Sequence, residues 1–231
     1  MSKTALTLAL TAILSSHSAF AALDVEEQRL DAARQAIPAV VSRYQAMVDN
    51  LDSKYRQQSD ELFMTQMVAR QGERLWQQAV RDVQSGGQDD RPLYWSRLAM
   101  KTQLKQHKPA FNIADWQRTI LLNAVEKASR GFSNIQFADD VQIRILLTGF
   151  DPFFLDRNID QSNPSGLTAL ALDGYKFMVN GKQAQVETVM IPVRFADFDQ
   201  GIIESLLTPI YRDKSVNAIF TVSMGRDDFD L

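Results

Sequence analysis

Apolar residues in the first part of the chain recur at intervals of three and four. Leu30, Ala33, Ile37, Val40, Val41, Tyr44 and Met47/Val48 form one such stripe, the spacing of an amphipathic helix. Pro38 falls inside it, where a missing N–H and a clash with the preceding turn should kink or divide the helix. A second stripe of Leu62, Phe63, Met67, Leu75, Trp76 and Val80 predicts a helix over about 53–83. The turn-forming run Gly86-Gly87-Gln88-Asp89-Asp90 closes it. Pro92 stands in the first turn of a third helix that reaches 106 and carries Tyr94, Trp95, Leu98 and Leu104. Beyond Pro109, Asn112 fits the N-cap of a fourth helix ending near Gly131, with Trp116, Ile120, Leu121 and Val125 facing inward. The aromatic and Met positions of these stripes read as the core of a helical bundle.

After Ser133 the period changes. Residues 142–148 (QIRILLT), 185–192 (QVETVMIP) and 217–223 (NAIFTVS) are short β-rich runs, and 165–176 and 197–211 between them are helix-compatible. Strand, helix, strand, helix, strand is the order of an α/β unit with an open, mainly parallel sheet and flanking helices. The predicted organisation is therefore a leader over 1–21, a helical region over 22–134 and an α/β domain over 135–231. Ligands of such sheets bind beyond the carboxyl ends of the strands. The stretch ILLTGFDPFFLDRNIDQSNPSG, residues 145–166, runs from the first strand through a loop with three phenylalanines to an Asn-Pro-Ser helix start. That loop therefore lies where a site is expected.

Several chemistries are excluded by what the loop lacks. It holds no Gly-Lys-Ser/Thr and no G-x-G-x-x-G, so neither a P-loop nor a dinucleotide cradle is present. No G-x-S-x-G elbow follows the strand. Asp151, Asp156 and Asp160 do not have EF-hand spacing. An apolar loop with a few hydrogen-bonding groups remains, which is how small-molecule pockets are lined.

Composition narrows the setting. Lys3 followed by the apolar run 4–14 and an Ala19-Phe20-Ala21 cleavage site reads as a secretory signal peptide, too short to span a bilayer. Cleavage after Ala21 would deliver a periplasmic or secreted chain without a membrane span. The chain has 25 basic and 28 acidic side chains, and its charge is unclustered, so no footprint for nucleic acid appears. The chain has no cysteine, hence no disulfide and no thiol nucleophile. His107, beside Lys105, Lys108 and Pro109, has no metal-ligating neighbour in sequence and reads as a surface residue.

ILLTGFDPF, SNPSG, VMIPVRF and AIFTVSMGR, in that order, resemble the landmarks of the pyroglutamyl peptidase type I family over about 142–231. The resemblance implies an α/β fold and a cysteine peptidase that removes N-terminal pyroglutamate without a cofactor. Phe150 and Phe153 would close over the lactam ring, with Val193 and the segment Met224, Gly225 and Arg226 as further pocket wall. Asn163 and Pro164 match the motif that starts the first helix. The implied partner is a peptide bearing N-terminal pyroglutamate, and a homo-oligomer is compatible with it. The family's catalytic Cys and His are absent, so no catalytic residue is assigned. On this resemblance the chain is expected to be an inactive N-terminal part of such an enzyme. The alternative is a non-catalytic periplasmic binding protein whose helical half contacts a partner.

Overall fold

The computed structural model describes residues 23–213 and 215–225; the leader and Arg226 lie outside the described residues. Pro38 divides the first stripe as its missing donor requires. Short helices α1 (Val25–Gln28), α2 (Leu30–Ala36) and α3 (Pro38–Val41) lead into α4 (Gln45–Gln57). The helix expected over 53–83 is broken at 58–60. Asp60 caps α5 (Glu61–Gln84), its carboxylate accepting from the Leu62 amide at 2.9 Å. α6 (Arg91–Gln106) and α7 (Asp115–Ala128) complete the helical half. The N-cap of α7 is Ala114 rather than Asn112, and its amide donates to the Gln117 side chain at 2.7 Å.

Leu75, Trp76, Tyr94, Trp95, Leu98, Leu104, Leu121 and Val125 are buried, as their spacing predicts. Four positions differ: Leu62 is 88% exposed and Trp116 65%, and Phe63 and Ile120 are exposed beside them. These fit the helical period, but no element among the described residues covers that side of α5 and α7.

β1 (Ile143–Phe150), α8 (Pro164–Leu172), β2 (Lys176–Val179), β3 (Lys182–Ile191), α9 (Phe195–Asp199), α10 (Ile202–Arg212) and β4 (Ala218–Thr221) follow. The sheet order is β2-β3-β1-β4; β1 pairs parallel with β3 and β4, and β2 antiparallel with β3. The predicted helical region followed by a mainly parallel α/β sheet is what the structure shows. The β2–β3 hairpin turns on Asn180 and Gly181, both with positive φ (49° and 76°), as a tight two-residue turn requires. One hydrophobic core runs through the helices and takes in Leu155, Leu170 and Met190 from the α/β half. No helix among the described residues is long and apolar enough to cross a membrane.

α8 lies hard against β1 at Gly149, where a Cβ would stand 2.3 Å from the Ser165 carbonyl oxygen and 2.9 Å from the Ala169 methyl. The Gly149→Ala variant is therefore expected to lose about 3 kcal/mol of stability, at the upper end for overpacking, measured by urea unfolding. Wild-type stability in that variant would show that α8 can move off the strand.

Candidate functional site

Because β1, β3 and β4 run parallel, the segments following them leave one edge of the sheet. Asp151, the first residue beyond β1, fixes what happens there. Its amide donates to the Ile191 carbonyl at 3.0 Å, and its own carbonyl accepts from Asn163 Nδ2 at 2.9 Å. Its buried carboxylate lies between Arg97 Nη2 of α6 at 2.5 Å and Arg130 Nη1 just beyond α7 at 2.6 Å. Glu126 of α7 takes Arg130 Nη2 at 2.6 Å and Lys101 Nζ at 2.9 Å. Burial opposes its ionisation, but Arg130, Lys101 and Arg97 hold its carboxyl well below the usual range.

The network continues to the N-terminal turn. Asp24 caps α1 in a reciprocal box with Glu27, and Glu27 takes Lys105 Nζ at 2.5 Å. Arg194, after β3, reaches Asp24 Oδ2 at 3.0 Å, Glu26 Oε2 at 3.2 Å and Asp197 Oδ1 at 2.7 Å. Tyr94 Oη donates to Glu26 Oε1 at 3.1 Å. Burial pushes the Glu26 carboxyl above its ordinary value, with Arg194 only partly offsetting it.

These elements enclose a cleft of about 450 Å³. Phe150, Pro152, Phe153, Phe154 and Leu155 come from the β1 end, Val193 and Arg194 from β3, and Ser223 and Met224 from beyond β4. Glu26 and Arg29 close the side facing the helices. The Phe153 and Phe154 rings stand 4.5 Å apart, and Arg157 lies 5.5 Å over Phe154. Phe154 has φ 60°, a left-handed conformation costly for a bulky side chain, and is 58% exposed at the rim. The loop is held by Leu155 in the core, by a bidentate Arg29–Asp156 pair (2.8 and 2.7 Å) and by Arg91 on Asp160. The three loop aspartates thus each have a guanidinium partner.

Of the residues singled out from the sequence, Phe150, Phe153, Val193 and Met224 meet in this cleft. Gly225 is exposed and stands outside its lining, and Arg226 is outside the described residues. Asn163 caps α8, its Oδ1 accepting from the Ser165 amide at 3.0 Å. His107 ends α6 and contacts Asp52 and Arg56, away from the cleft. Sequence reasoning missed Glu26, Arg29 and Arg194. The available signal was the four-residue spacing of Arg97, Lys101 and Lys105 on α6 together with the acidic run Asp24, Glu26 and Glu27.

A helical bundle fused to an open α/β sheet, with a cleft at the strand ends, is the architecture these observations define. The family profile described as PA0049 N-terminal domain matches residues 9–126, and that described as PA0049, C-terminal domain, matches 144–231. The chain belongs to the PA0049 family. It is 35% identical over 183 residues to the uncharacterized protein PA0049 of Pseudomonas aeruginosa strain PAO1, covering 69% of this chain and 33% of that protein. The chain thus spans about a third of the length of the curated relative it matches. No solved structure matches it.

These matches overturn the resemblance to pyroglutamyl peptidases, and with it the hydrolase reading and that of the chain as part of such an enzyme. The structure supplies a physical reason for the shared landmarks. In GFDPF, Gly149 admits α8 and Asp151 is consumed by Arg97 and Arg130, and in SNPSG Asn163 is a helix cap. Each has a packing duty that owes nothing to a peptidase site.

Removing the Asp151 carboxylate would leave Arg97 and Arg130 buried and facing each other. Asp151→Ala is expected to cost about 3–5 kcal/mol, measured by urea unfolding, whereas a loss under 1 kcal/mol would mean that water reaches the pair.

A pH dependence follows from the uncompensated acids. Burial pushes Asp90 and Glu187 up to about 7, and raises Glu26 and Asp173. Asp90 accepts the Asn163 amide at 3.1 Å. The unfolded chain ionises Asp90 and Glu187 near pH 4 and the folded one only near 7, so stability falls as pH rises through that window, and the raised Glu26 and Asp173 act in the same direction. Glu126 and Asp24, held low, act in the opposite sense in acid. Unfolding free energy should therefore peak near pH 5 and decline by pH 8, with Asp90→Asn and Glu187→Gln each flattening the decline. A flat profile in the wild type would contradict these assignments.

Proposed function

We propose that the chain is an exported binding module whose cleft takes a small ligand with an apolar body and a hydrogen-bond-donating head group. The observation that carries this reading is convergence: segments from the carboxyl ends of three parallel strands meet the first helical turns around one apolar-walled space. Phe150, Phe153, Val193 and Met224 are its wall in this reading. Export rests on the leader pattern of residues 1–21 and cleavage after Ala21.

The head group follows from the charges. Asp24, Glu26, Glu27, Glu126, Asp151 and Asp197 share five cations: Arg97, Lys101, Lys105, Arg130 and Arg194. That leaves one carboxylate in excess. Glu26 is the member on the cleft wall with a raised pKa, so an ammonium or N–H donor is the group that the site would favour. The chain has no thiol, and among the described residues Ser223 on the wall has no histidine near it to act as a base. Binding is accordingly the reading the cleft supports over catalysis.

An NMR titration with benzylamine and n-butylamine tests it. Shifts are expected to concentrate at Phe150, Phe153, Val193 and Met224, and Phe153→Ala should weaken benzylamine binding about tenfold by removing one aromatic wall. No saturable shift, or shifts centred on the helical half, would overturn the reading.

A further inference from the structure

We infer that the ligand is an amphiphile whose unbranched alkyl chain passes Phe150 into a second, apolar cavity beneath α10; this rests on the cleft reading above. A space of about 220 Å³ lies between one face of the sheet and α9–α10. Phe150 borders both this cavity and the cleft, so the two adjoin at that residue. The sheet contributes Ile191 and Ile219, and α10 contributes Ile203, Leu206 and Leu207.

The chemistry of the lining selects the occupant. Among the described residues no charged side chain borders the cavity. Its polar groups are the hydroxyls of Thr148 and Thr221, and Thr148 Oγ1 donates to Thr221 Oγ1 at 3.2 Å. Beyond those two hydroxyls the lining is apolar, so an alkyl chain entering from the cleft would displace water that has few groups to bond. The chain would also gain dispersion against these walls. A polar group would gain less, because the lining beyond the two threonines is the aliphatic Ile191, Ile203, Leu206, Leu207 and Ile219 with Phe150 and Phe198. Phe198, 38% exposed, stands at the outer margin, so the chain is enclosed without being sealed. Head group at Glu26 and chain past Phe150 together match a space that is charged on one side and mostly apolar on the other.

The test is calorimetry of the full chain with n-alkylamines from butyl to decyl, each below its micelle concentration. Affinity should rise about fourfold per added methylene as the chain enters the cavity. Leu207→Trp, which fills the cavity from α10, should abolish that gain per methylene. Should the tryptophan disturb folding, intermolecular NOEs from the octylamine terminal methyl to the Leu206 and Ile219 methyls give the same answer in the wild type. Butylamine binding with no increase along the series, or a terminal methyl without those NOEs, would overturn the cavity inference and leave the cleft reading standing. No binding of any alkylamine would overturn the cleft reading itself.

Discussion

The Asp151 carboxylate, clamped between Arg97 and Arg130, ties the helical half to the sheet. Charges of this kind are tolerated inside a protein only when each is paired and the remaining hydrogen-bond positions are filled. Here the pairing comes from parts of the chain that are distant in sequence, α6, the turn after α7 and the end of β1, although Arg97 Nε makes no hydrogen bond. The backbone of the same residue joins β3 and the cap of α8. The two halves therefore cannot shift relative to each other without exposing a bare guanidinium to a low-dielectric interior. An apolar interface could match this contact in net stability, but it would lack the direction that hydrogen-bonded ions impose.

That directional constraint explains the loop between β1 and α8. A long segment without secondary structure would ordinarily be mobile, yet this one is held at Asp151, Leu155, Asp156, Asp160 and Asn163. Phe153 and Phe154 lie between these anchors, while Phe150, just before them, packs beside the Leu146 cluster. Phe150 and Phe153 face the cleft and Phe154 holds its unfavourable left-handed backbone at the rim. A loop of this composition reads alone as an aromatic pocket motif. In the fold it is a wall whose position is set from the helical half.

What the sequence revealed, and what it hid, divides along the same line. The change of period near Ser133, three of the strands and the place of the loop carrying Phe150 and Phe153 depend on local pattern and on the rule for strand ends, whereas Val193 and Met224 were singled out only through the resemblance that the family matches overturn. The break before Asp60 carried an N-cap signal, masked by a stripe that stays in phase on both sides. The Asn180-Gly181 turn was also legible, but β2 is short and largely exposed, so it has no burial period to announce it. Leu62, Phe63, Trp116 and Ile120 keep a helical period on a face that nothing described covers. Least legible was the role of Arg97, Lys101 and Lys105. Four-residue spacing of cations is the mark of a solvated face, and their acids lie 25 to 54 positions ahead in Glu126 and Asp151 or far behind in Asp24 and Glu27.

Charge placement also orders the two spaces beside Phe150. The network's Arg97, Lys101, Lys105, Glu126 and Arg130 belong to the helical half, and among the described residues no ion lines the cavity beneath α10. Phe150 stands at the boundary because β1 alternates its side chains: Leu146 and Phe150 turn toward α10, and Leu147 turns toward α8. The residue that follows in the alternation is Asp151, which turns back to α6 and α7. A single step along one strand end thus separates the most polar interior of the molecule from an apolar one, and a ligand seated at that step would meet both.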